Sequence, residues 1–311
     1  MDFTTALVAA FGEGRVRRAH PLAPLTTFRV GGAADWFLET RGAEETIKAL
    51  DLARTHSVPV TVLGGGSNVL VSDAGVRGLV IRSRSAGIHR VGDGSVEADA
   101  GSTINGLVRW AVARGLAGLE AWAGTPGTVG GAIFGNAHFG GRNIGDLVER
   151  VRIVDRTGRV IEVPAAAMAF GYDRSRLQDS GEVLLSATFG VSEGDPARLR
   201  TRARESLAYR KRTQPLDRPS AGCVFRNPER ARDQVPEGLP WSAGALVDRA
   251  GAKGWVVGGA RVSLTHGNFI VNDGTATAAD IRHLIEACRR AVRDRFGVDL
   301  REEIVYLGDF S

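Results

Sequence analysis

Two glycine-rich clusters in this chain carry backbone that a ligand can approach closely. The first is Leu63-Gly64-Gly65-Gly66-Ser67-Asn68, and the second is Gly124-Thr125-Pro126-Gly127-Thr128-Val129-Gly130-Gly131. Glycine has no side chain to keep a ligand away, and the adjacent hydroxyls add hydrogen-bonding groups. The pattern indicates a backbone nest for a pyrophosphate. The alternative is that these glycines only make tight turns, but two clusters with attached hydroxyls favour binding.

The residues around the first cluster exclude two common nucleotide-binding motifs. Apolar runs at residues 58–63 and 69–71 flank the cluster, which indicates a strand-loop-strand element. A Rossmann fingerprint needs a glycine loop that opens a helix, and a P-loop ends in Gly-Lys-Ser/Thr. Because neither pattern is present, we expect a fold that is not doubly wound.

Composition narrows the class of protein further. The 311 residues suit two domains, and the 40 basic and 35 acidic side chains give a net charge of only +5. No basic run with interleaved aromatic residues suggests nucleic acid. The two cysteines and six scattered histidines indicate neither a disulfide framework nor a metal site. With no apparent signal peptide or spanning segment, we expect a soluble cytoplasmic protein with neither nucleic acid nor membrane as partner.

The elements that must position these clusters alternate between helix and strand. Apolar spacing predicts helices at residues 43–57, 105–114, 197–211 and 281–296. Strands are predicted at 26–30, 69–71, 148–163 with a turn at 155–158, 183–191 and 298–307. A break at residues 192–196 predicts a boundary between domains 1–195 and 196–311. The class is α+β.

Several segments, in one order along nearly the whole chain, resemble the UDP-N-acetylenolpyruvoylglucosamine reductase family. In the first half they are Thr27-Phe28-Arg29-Val30-Gly31-Gly32 and the two glycine clusters. In the second half they are residues 209–215, 219–228, 258–263 and 266–272, which include Ser220-Ala221-Gly222-Cys223-Val224-Phe225. Agreement of many motifs in order is more specific than any single cluster.

The resemblance implies a flavoenzyme of peptidoglycan precursor synthesis. Domain 1–195 would be an FAD-binding domain of the vanillyl-alcohol-oxidase (PCMH) type, and 196–311 an α+β substrate-binding domain. FAD would be bound non-covalently, with NADPH as the co-substrate that reduces it. UDP-N-acetylglucosamine enolpyruvate would then take a hydride at C3 and a proton at C2. The residues expected to bind the cofactor are Gly64, Gly65, Gly66, Ser67, Asn68, Gly124, Thr125, Pro126, Gly127, Thr128 and Gly130.

The resemblance also implies roles for four residues of the second half. Cys223 stands where the family usually has the serine that donates a proton to C2. A thiol pKa near 8.5 makes it a credible acid. Glu303 matches the carboxylate near the substrate's carboxylate, and Lys211 and Asn227 match residues that contact substrate. The alternatives are a small buried hydrophobe for Cys223, as we interpret Cys288, and solvated or turn positions for the others.

One segment departs from the family pattern. In Phe170-Gly171-Tyr172-Asp173-Arg174-Ser175, Asp173 occupies the position of the arginine that stabilises the enolate in the family. We expect a one-residue bulge to bring Arg174 into that place as a catalytic residue, with Asp173 pairing with it. His138, also a departure, is interpreted as a surface histidine. Two other functions stay open: a vanillyl-alcohol-type flavin oxidase and, suggested by Asp173, a flavin- or nucleotide-binding relative without turnover.

Overall fold

The structure is a computed structural model that describes residues 1–311. Its α-helices are α1 (Phe3–Phe11), α2 (Ala43–Thr55), α3 (Ile104–Ala113), α4 (Val129–Phe134), α5 (Leu177–Ser180), α6 (Pro196–Thr213), α7 (Ala243–Arg249) and α8 (Ala278–Phe296). The predicted helices correspond to α2, α3, α6 and α8. Their positions are therefore confirmed, with ends that differ by a few residues.

The strands are short and numerous, and together with the helices they confirm the α+β class. They are β1 (Val16–Pro21), β2 (Ala33–Thr40), β3 (Val60–Val62), β4 (Val69–Val71), β5 (Val76–Ser83), β6 (Ile88–Gly92), β7 (Ser95–Asp99), β8 (Leu116–Ala117), β9 (His138–Phe139), β10 (Arg142–Asn143), β11 (Val148–Val154), β12 (Val160–Pro164), β13 (Val183–Gly190), β14 (Ser192–Glu193), β15 (Val256–Val257), β16 (Ala260–Val262), β17 (Ile270–Asn272) and β18 (Val305–Leu307).

The chain forms two compact units, each built from several segments. The first unit contains Met1–Ala19, Asp35–Gly65 and Gly78–Arg210, and the second contains His20–Ala34, Gly66–Arg77 and Lys211–Ser311. The chain leaves the first unit for the last time at Arg210, in the last turn of α6, whereas the sequence predicts a domain boundary before that helix. The boundary at residues 195 and 196 stays a prediction.

The first unit is built around two sheets. One has the strand order β1-β2-β5-β3, in which β3 and β5 are parallel. The other is a five-stranded sheet in the order β12-β11-β13-β7-β6, whose pairs are antiparallel. The largest hydrophobic core of the first unit includes the fully buried Leu107, Trp122 and Phe189. These residues come from α3, from the turn before the second glycine cluster and from β13. This core supports the second glycine cluster.

The second unit packs α8 against the antiparallel sheet β15-β16-β17. Thr277 and Asp280 form a capping box at the start of α8, and Gly297 ends the helix in the left-handed conformation. The apolar stripe predicted for this helix, from Ile281 to Val292, is buried in the core of the unit. Strand β18 pairs with β4 in parallel.

Two predicted strands are wrong in whole or in part. Residues 26–32 form no strand, because Arg29 has a left-handed φ of 58° and the buried Asn272 donates from Nδ2 to Phe28 O at 2.8 Å. Of residues 298–307, only Val305–Leu307 is a strand. Both segments are fixed by partners that are distant in sequence, which local alternation does not reveal.

Candidate active site

The first glycine cluster is a loop of unpaired backbone donors. It follows β3, where the amide of Leu63 still donates to Ile81 O at 2.8 Å. Over the described residues, no backbone amide from 64 to 68 donates a hydrogen bond to a protein atom. Consecutive free amides of this kind form a nest for an anion. The loop therefore has the donor set that a diphosphate needs.

Glycine at positions 64 and 65 also lets the two clusters meet inside the first unit. A Cβ on Gly64 would lie 2.7 Å from Thr128 Oγ1, and one on Gly65 would lie 2.5 Å from Gly127 Cα. Both distances are shorter than any ordinary carbon contact. The two glycine clusters therefore pack backbone against backbone, a requirement that their separation in sequence does not reveal.

The second cluster offers fewer free amides than its sequence suggests. The amide of Gly124 donates to Asn105 Oδ1 at 2.7 Å, and that of Thr125 donates to Trp122 O at 2.9 Å. The amide of Gly130 donates to Ala100 O at 2.8 Å. The expectation that amides throughout this cluster face a ligand is therefore wrong for these three positions. The close backbone approach predicted at the Pro126-Gly127 turn is instead made by Gly65.

Arg210 holds the second cluster in place. Although it is an arginine, only 6 % of it is exposed, and Nη2 donates to Thr125 Oγ1 at 2.7 Å. Its guanidinium carbon lies 3.6 Å from the centroid of the Phe139 ring, a cation–π contact. Sequence analysis treats Arg210 only as a charge beside Lys211 and misses this role. In the local sequence, the adjacent Tyr209 of the same motif is the only feature that indicates this role of Arg210.

The residues predicted to contact substrate have different surroundings. Lys211 is exposed on the last turn of α6. Asn227 uses Oδ1 to accept the amide of Ala243 at 2.9 Å, which fixes the start of α7. Asn227 thus has a structural role, and its contact with substrate stays a prediction.

Cys223 lies in a loop of the second unit and is half-buried. The residue before it, Gly222, has φ +79°, a conformation that other residues adopt at a cost. After it, the amide of Val224 donates to Asn268 O at 2.8 Å. The thiol is therefore carried by a backbone of fixed conformation.

Asn268 clamps the residue that follows this loop. Its Oδ1 accepts the amide of Phe225 at 2.8 Å, and its Nδ2 donates to Phe225 O at 2.7 Å. Asn268 is buried, so both bonds are shielded from water. Sequence analysis counts this residue only within a motif. A polar amide in an otherwise apolar stretch is the signal that could have identified it.

Glu303 is joined to the same loop through its backbone. Its amide donates to Val224 O at 2.7 Å, and its carbonyl accepts Asn68 Nδ2 at 3.1 Å. The sequence predicts that Glu303 lies on the last strand. In the structure it lies two residues before that strand, β18. Within the second unit, hydrogen bonds thus connect Asn68 of the first cluster, Glu303 and the residue after Cys223.

The segment that departs from the family pattern has a different geometry from the one expected. Asp173 is buried, has φ +52°, and its Oδ1 lies 2.9 Å from His138 Nδ1. Arg174 is paired instead with Asp179 at 2.7 Å, and 63 % of its side chain is exposed. The expected pairing of Asp173 with Arg174 is wrong, and this geometry gives no support to a catalytic role for Arg174.

His138 is not a plain surface histidine either. Besides Asp173, it contacts the ring of Tyr172, with centroids 4.9 Å apart. Only 29 % of its side chain is exposed. Sequence analysis could not pair these residues, because β9 and the Tyr172 segment are distant in sequence.

Cys288 is the small buried hydrophobe that the sequence predicts. It lies on the apolar face of α8, and burial raises the pKa of its thiol to about 12. The thiol therefore stays protonated at neutral pH.

The donor set of the first unit fits an elongated cofactor that carries a diphosphate. Consecutive free amides face away from protein acceptors at residues 64 and 65, and a glycine-lined backbone surface adjoins them. These properties suit the class of proteins that bind a diphosphate-bearing cofactor through backbone groups.

Comparison with known families agrees with this class and adds the family. A family model described as "FAD binding domain" matches residues 34–164. A second, described as "UDP-N-acetylenolpyruvoylglucosamine reductase, C-terminal domain", matches residues 214–307. The two models follow the order predicted from the sequence.

Whole-chain relatives carry the same description. The chain is 42% identical over 301 residues to the UDP-N-acetylenolpyruvoylglucosamine reductase of Synechococcus sp. (strain JA-3-3Ab), covering 96% of this chain and 93% of that protein. It is 40% identical over 312 residues to that of Moorella thermoacetica, covering 99% of each. The crystal structure of the Thermus caldophilus reductase matches with a TM-score of 0.78 and 34% identity, over 94% of this chain and 99% of that one.

The chain belongs to the UDP-N-acetylenolpyruvoylglucosamine reductase family. It is therefore an FAD-dependent oxidoreductase with NADPH as co-substrate. Its reaction is the reduction of UDP-N-acetylglucosamine enolpyruvate in peptidoglycan precursor synthesis. The predictions of family, fold class, function and cofactors are confirmed. None of its helices combines the length and apolar character needed to cross a membrane.

Proposed function

We propose that, within this reaction, Cys223 is the proton donor and Glu303 acts beside it. The observation that carries the proposal is a set of two hydrogen bonds. The Asn68 side chain donates to the carbonyl of Glu303, and the amide of Glu303 donates to the carbonyl of Val224, the neighbour of Cys223. This set joins three segments of the second unit that lie far apart in sequence. It supports a site in which an acid and a carboxylate keep fixed positions.

Bound FAD supplies the hydride that C3 of the enolpyruvyl group accepts. Within the first unit, the amides of Gly64 and Gly65 would hold its diphosphate, while the backbone around Gly127 would adjoin it. Of the second cluster, Gly124, Thr125 and Gly130 would act through the shape of the loop rather than through their amides. Arg210 keeps that loop in place through Thr125.

Cys223 holds at Sγ the proton that C2 receives. A thiol that carries its proton can act as a general acid. Glu303 polarises the region of the substrate carboxylate or shares a proton with it, and Lys211 and Asn227 contact the substrate. Arg174 stays outside this set because its side chain is exposed and paired with Asp179.

The same proposal includes the setting of the reaction. The partner is a small UDP-sugar rather than nucleic acid or a membrane, and the enzyme works in the cytoplasm. Two free cysteines, Cys223 and Cys288, support a reducing compartment.

Variants of Cys223 test the proton donor. Cys223→Ala should leave reduction by NADPH unchanged and slow reoxidation by the enolpyruvyl substrate by about 10²-fold or more, since general acid catalysis contributes that much. Cys223→Ser should keep measurable activity, because a hydroxyl can occupy the same place. Stopped-flow absorbance under anaerobic conditions separates the two half-reactions.

Cys288→Ala is the matched control, because Cys288 lies buried in α8. It should leave both half-reactions unchanged. If Cys223→Ala reoxidises as fast as the wild type, Cys223 is structural and the proposal fails.

A further inference from the structure

A basic pocket in the first unit has no role in the reaction described above. Four arginines, one glutamate and one phenylalanine line it together with Gly14, and its volume is about 300 Å³. The charged residues are Arg15, Arg17, Arg41, Arg84 and Glu39. A volume of this size is at the lower end of the range for small-molecule sites.

The pocket lies where the two central strands of the sheet, β2 and β5, end. The amide of Arg84 donates to Thr40 O at 2.7 Å, which joins the residue after β5 to the last residue of β2. The ends of these strands therefore bring together Glu39, Arg41 and Arg84.

The charges of the pocket are not balanced within the protein. Arg15 is neutralised, because its two terminal nitrogens lie 2.7 and 2.6 Å from the carboxylate oxygens of Glu45. Glu39 is shared between Arg84 and the neighbouring Arg82, at 3.8 Å from each. One carboxylate thus faces two guanidinium groups, so positive charge remains in excess.

Two of the lining arginines form no ion pair, although the carboxylate of Glu45, which is bound to Arg15, also attracts Arg41. The side chain of Arg41 makes no hydrogen bond or ion pair among the described residues, and Arg17 rests over the Phe37 ring at 5.9 Å. Burial, together with the charge of Arg84, lowers the pKa of Arg82 behind them. Burial is the larger of the two causes, and the like charge of Arg84 acts in the same direction.

We propose that this pocket is a second ligand site that binds the phosphate group of a small phosphate ester or diphosphate. Guanidinium groups match phosphate oxygens in a bidentate geometry, and several of them can surround one phosphate. Arg17 and Arg41 contact the ligand, while Arg15 is held back by Glu45. The site is independent of the residues assigned to the reduction.

Pyrophosphate binding to the FAD-loaded enzyme, measured by titration calorimetry, tests this site. FAD then occupies its own diphosphate site, and saturating NADPH covers the catalytic one. The double variant Arg17→Gln/Arg41→Gln should bind pyrophosphate at least about tenfold more weakly than the wild type, because it loses charge-assisted hydrogen bonds. Arg109→Gln, at an exposed position on α3, should bind as the wild type does.

Three results would overturn the proposal. One is a wild-type affinity weaker than about 1 mM, and another is an unchanged affinity in the double variant. The third is pyrophosphate binding that is seen only when NADPH is left out and is lost when NADPH saturates the enzyme, which would assign the binding to the catalytic site. None of these results bears on the reductase activity, so this proposal fails separately from the one above.

Discussion

The two cysteines show how position decides the chemistry of one side chain. Cys288 is 1 % exposed on the apolar face of α8, and burial raises its thiol pKa to about 12. Cys223 is half-buried in a loop that contains a left-handed glycine, and its neighbours are clamped by Asn268. Only the second environment offers a thiol that a substrate can reach.

Asp173 and Arg174 also differ in burial, since Asp173 is buried and Arg174 is exposed. This difference leads to a prediction about stability. Asp173→Ala should lower the free energy of unfolding by about 1–3 kcal/mol, since it removes a buried acceptor from His138. Arg174→Ala should lower it by less than about 1 kcal/mol, because its ion pair is exposed. Urea unfolding of the FAD-loaded protein measures both.

Asp173→Asn is the control for the backbone. Asparagine tolerates the left-handed conformation that Asp173 adopts and keeps an oxygen acceptor, so most of the stability should return. Equal losses in the two alanine variants would contradict this account.

The sequence singles out individual residues only where a motif contains them. Cys223, Glu303 and the glycines came from ordered motifs, whereas Arg210 and Asn268 did not stand out. An arginine that is 6 % exposed, and an amide that bonds both backbone groups of Phe225, depend on partners far along the chain. Residue type and spacing do not contain that information.

At the scale of elements, the meeting of the two glycine loops is the main finding. Gly65→Ala should weaken FAD binding by at least about tenfold, because its Cβ would lie 2.5 Å from Gly127 Cα and push the loops apart. The measurement is the flavin content of the purified protein, followed by titration of the apoprotein with FAD.

Gly42→Ala serves as the matched glycine control. Gly42 precedes α2, has an extended φ of −170°, and has open space where a Cβ would lie. This variant should keep full flavin content. If Gly65→Ala also keeps it, the close contact of the loops is not needed for FAD binding.

The contact between α2 and the segment before β1 predicts a pH dependence. Hydrogen bonds from Arg15 lower the pKa of Glu45 from 4.5 to about 2. A depressed carboxylate pKa contributes stability above about pH 4.5, and this stability is lost as the pH falls toward about 2. Glu45→Gln should therefore be less stable by roughly 1 kcal/mol at neutral pH, and equal to the wild type near pH 2.

Thermal unfolding measures this difference in stability at each pH between 2 and 7 at which the protein stays folded. Glu44→Gln is the control, since Glu44 lies exposed in the same turn of α2. A difference between Glu45→Gln and wild type that stays constant with pH would exclude the Arg15 pair as its source.

Helices could be predicted from local spacing, but two strands could not. The stripe of α8 repeats at helical spacing and is closed by Thr277 and Gly297, so its sequence alone defines it. Residues 26–32 alternate like a strand, yet Asn272 and the left-handed Arg29 hold them in another conformation. Local pattern fails where tertiary hydrogen bonds decide the backbone.

At the scale of the whole molecule, each compact unit is assembled from segments that are not contiguous in the sequence. Two N-terminal segments, His20–Ala34 and Gly66–Arg77, belong to the second compact unit with the C-terminal residues. A reading along the chain expects each domain to be continuous. The family, by contrast, could be predicted, because its motifs keep their order whatever unit they join.

The most direct test of the central claim follows the flavin through both half-reactions without oxygen. NADPH should bleach the FAD absorbance of the purified enzyme, and UDP-N-acetylglucosamine enolpyruvate should then restore it with formation of UDP-N-acetylmuramate. Stopped-flow absorbance and product analysis measure the two steps. A flavin that NADPH reduces and only oxygen reoxidises, or a protein without FAD, would contradict the assignment of this chain as the reductase.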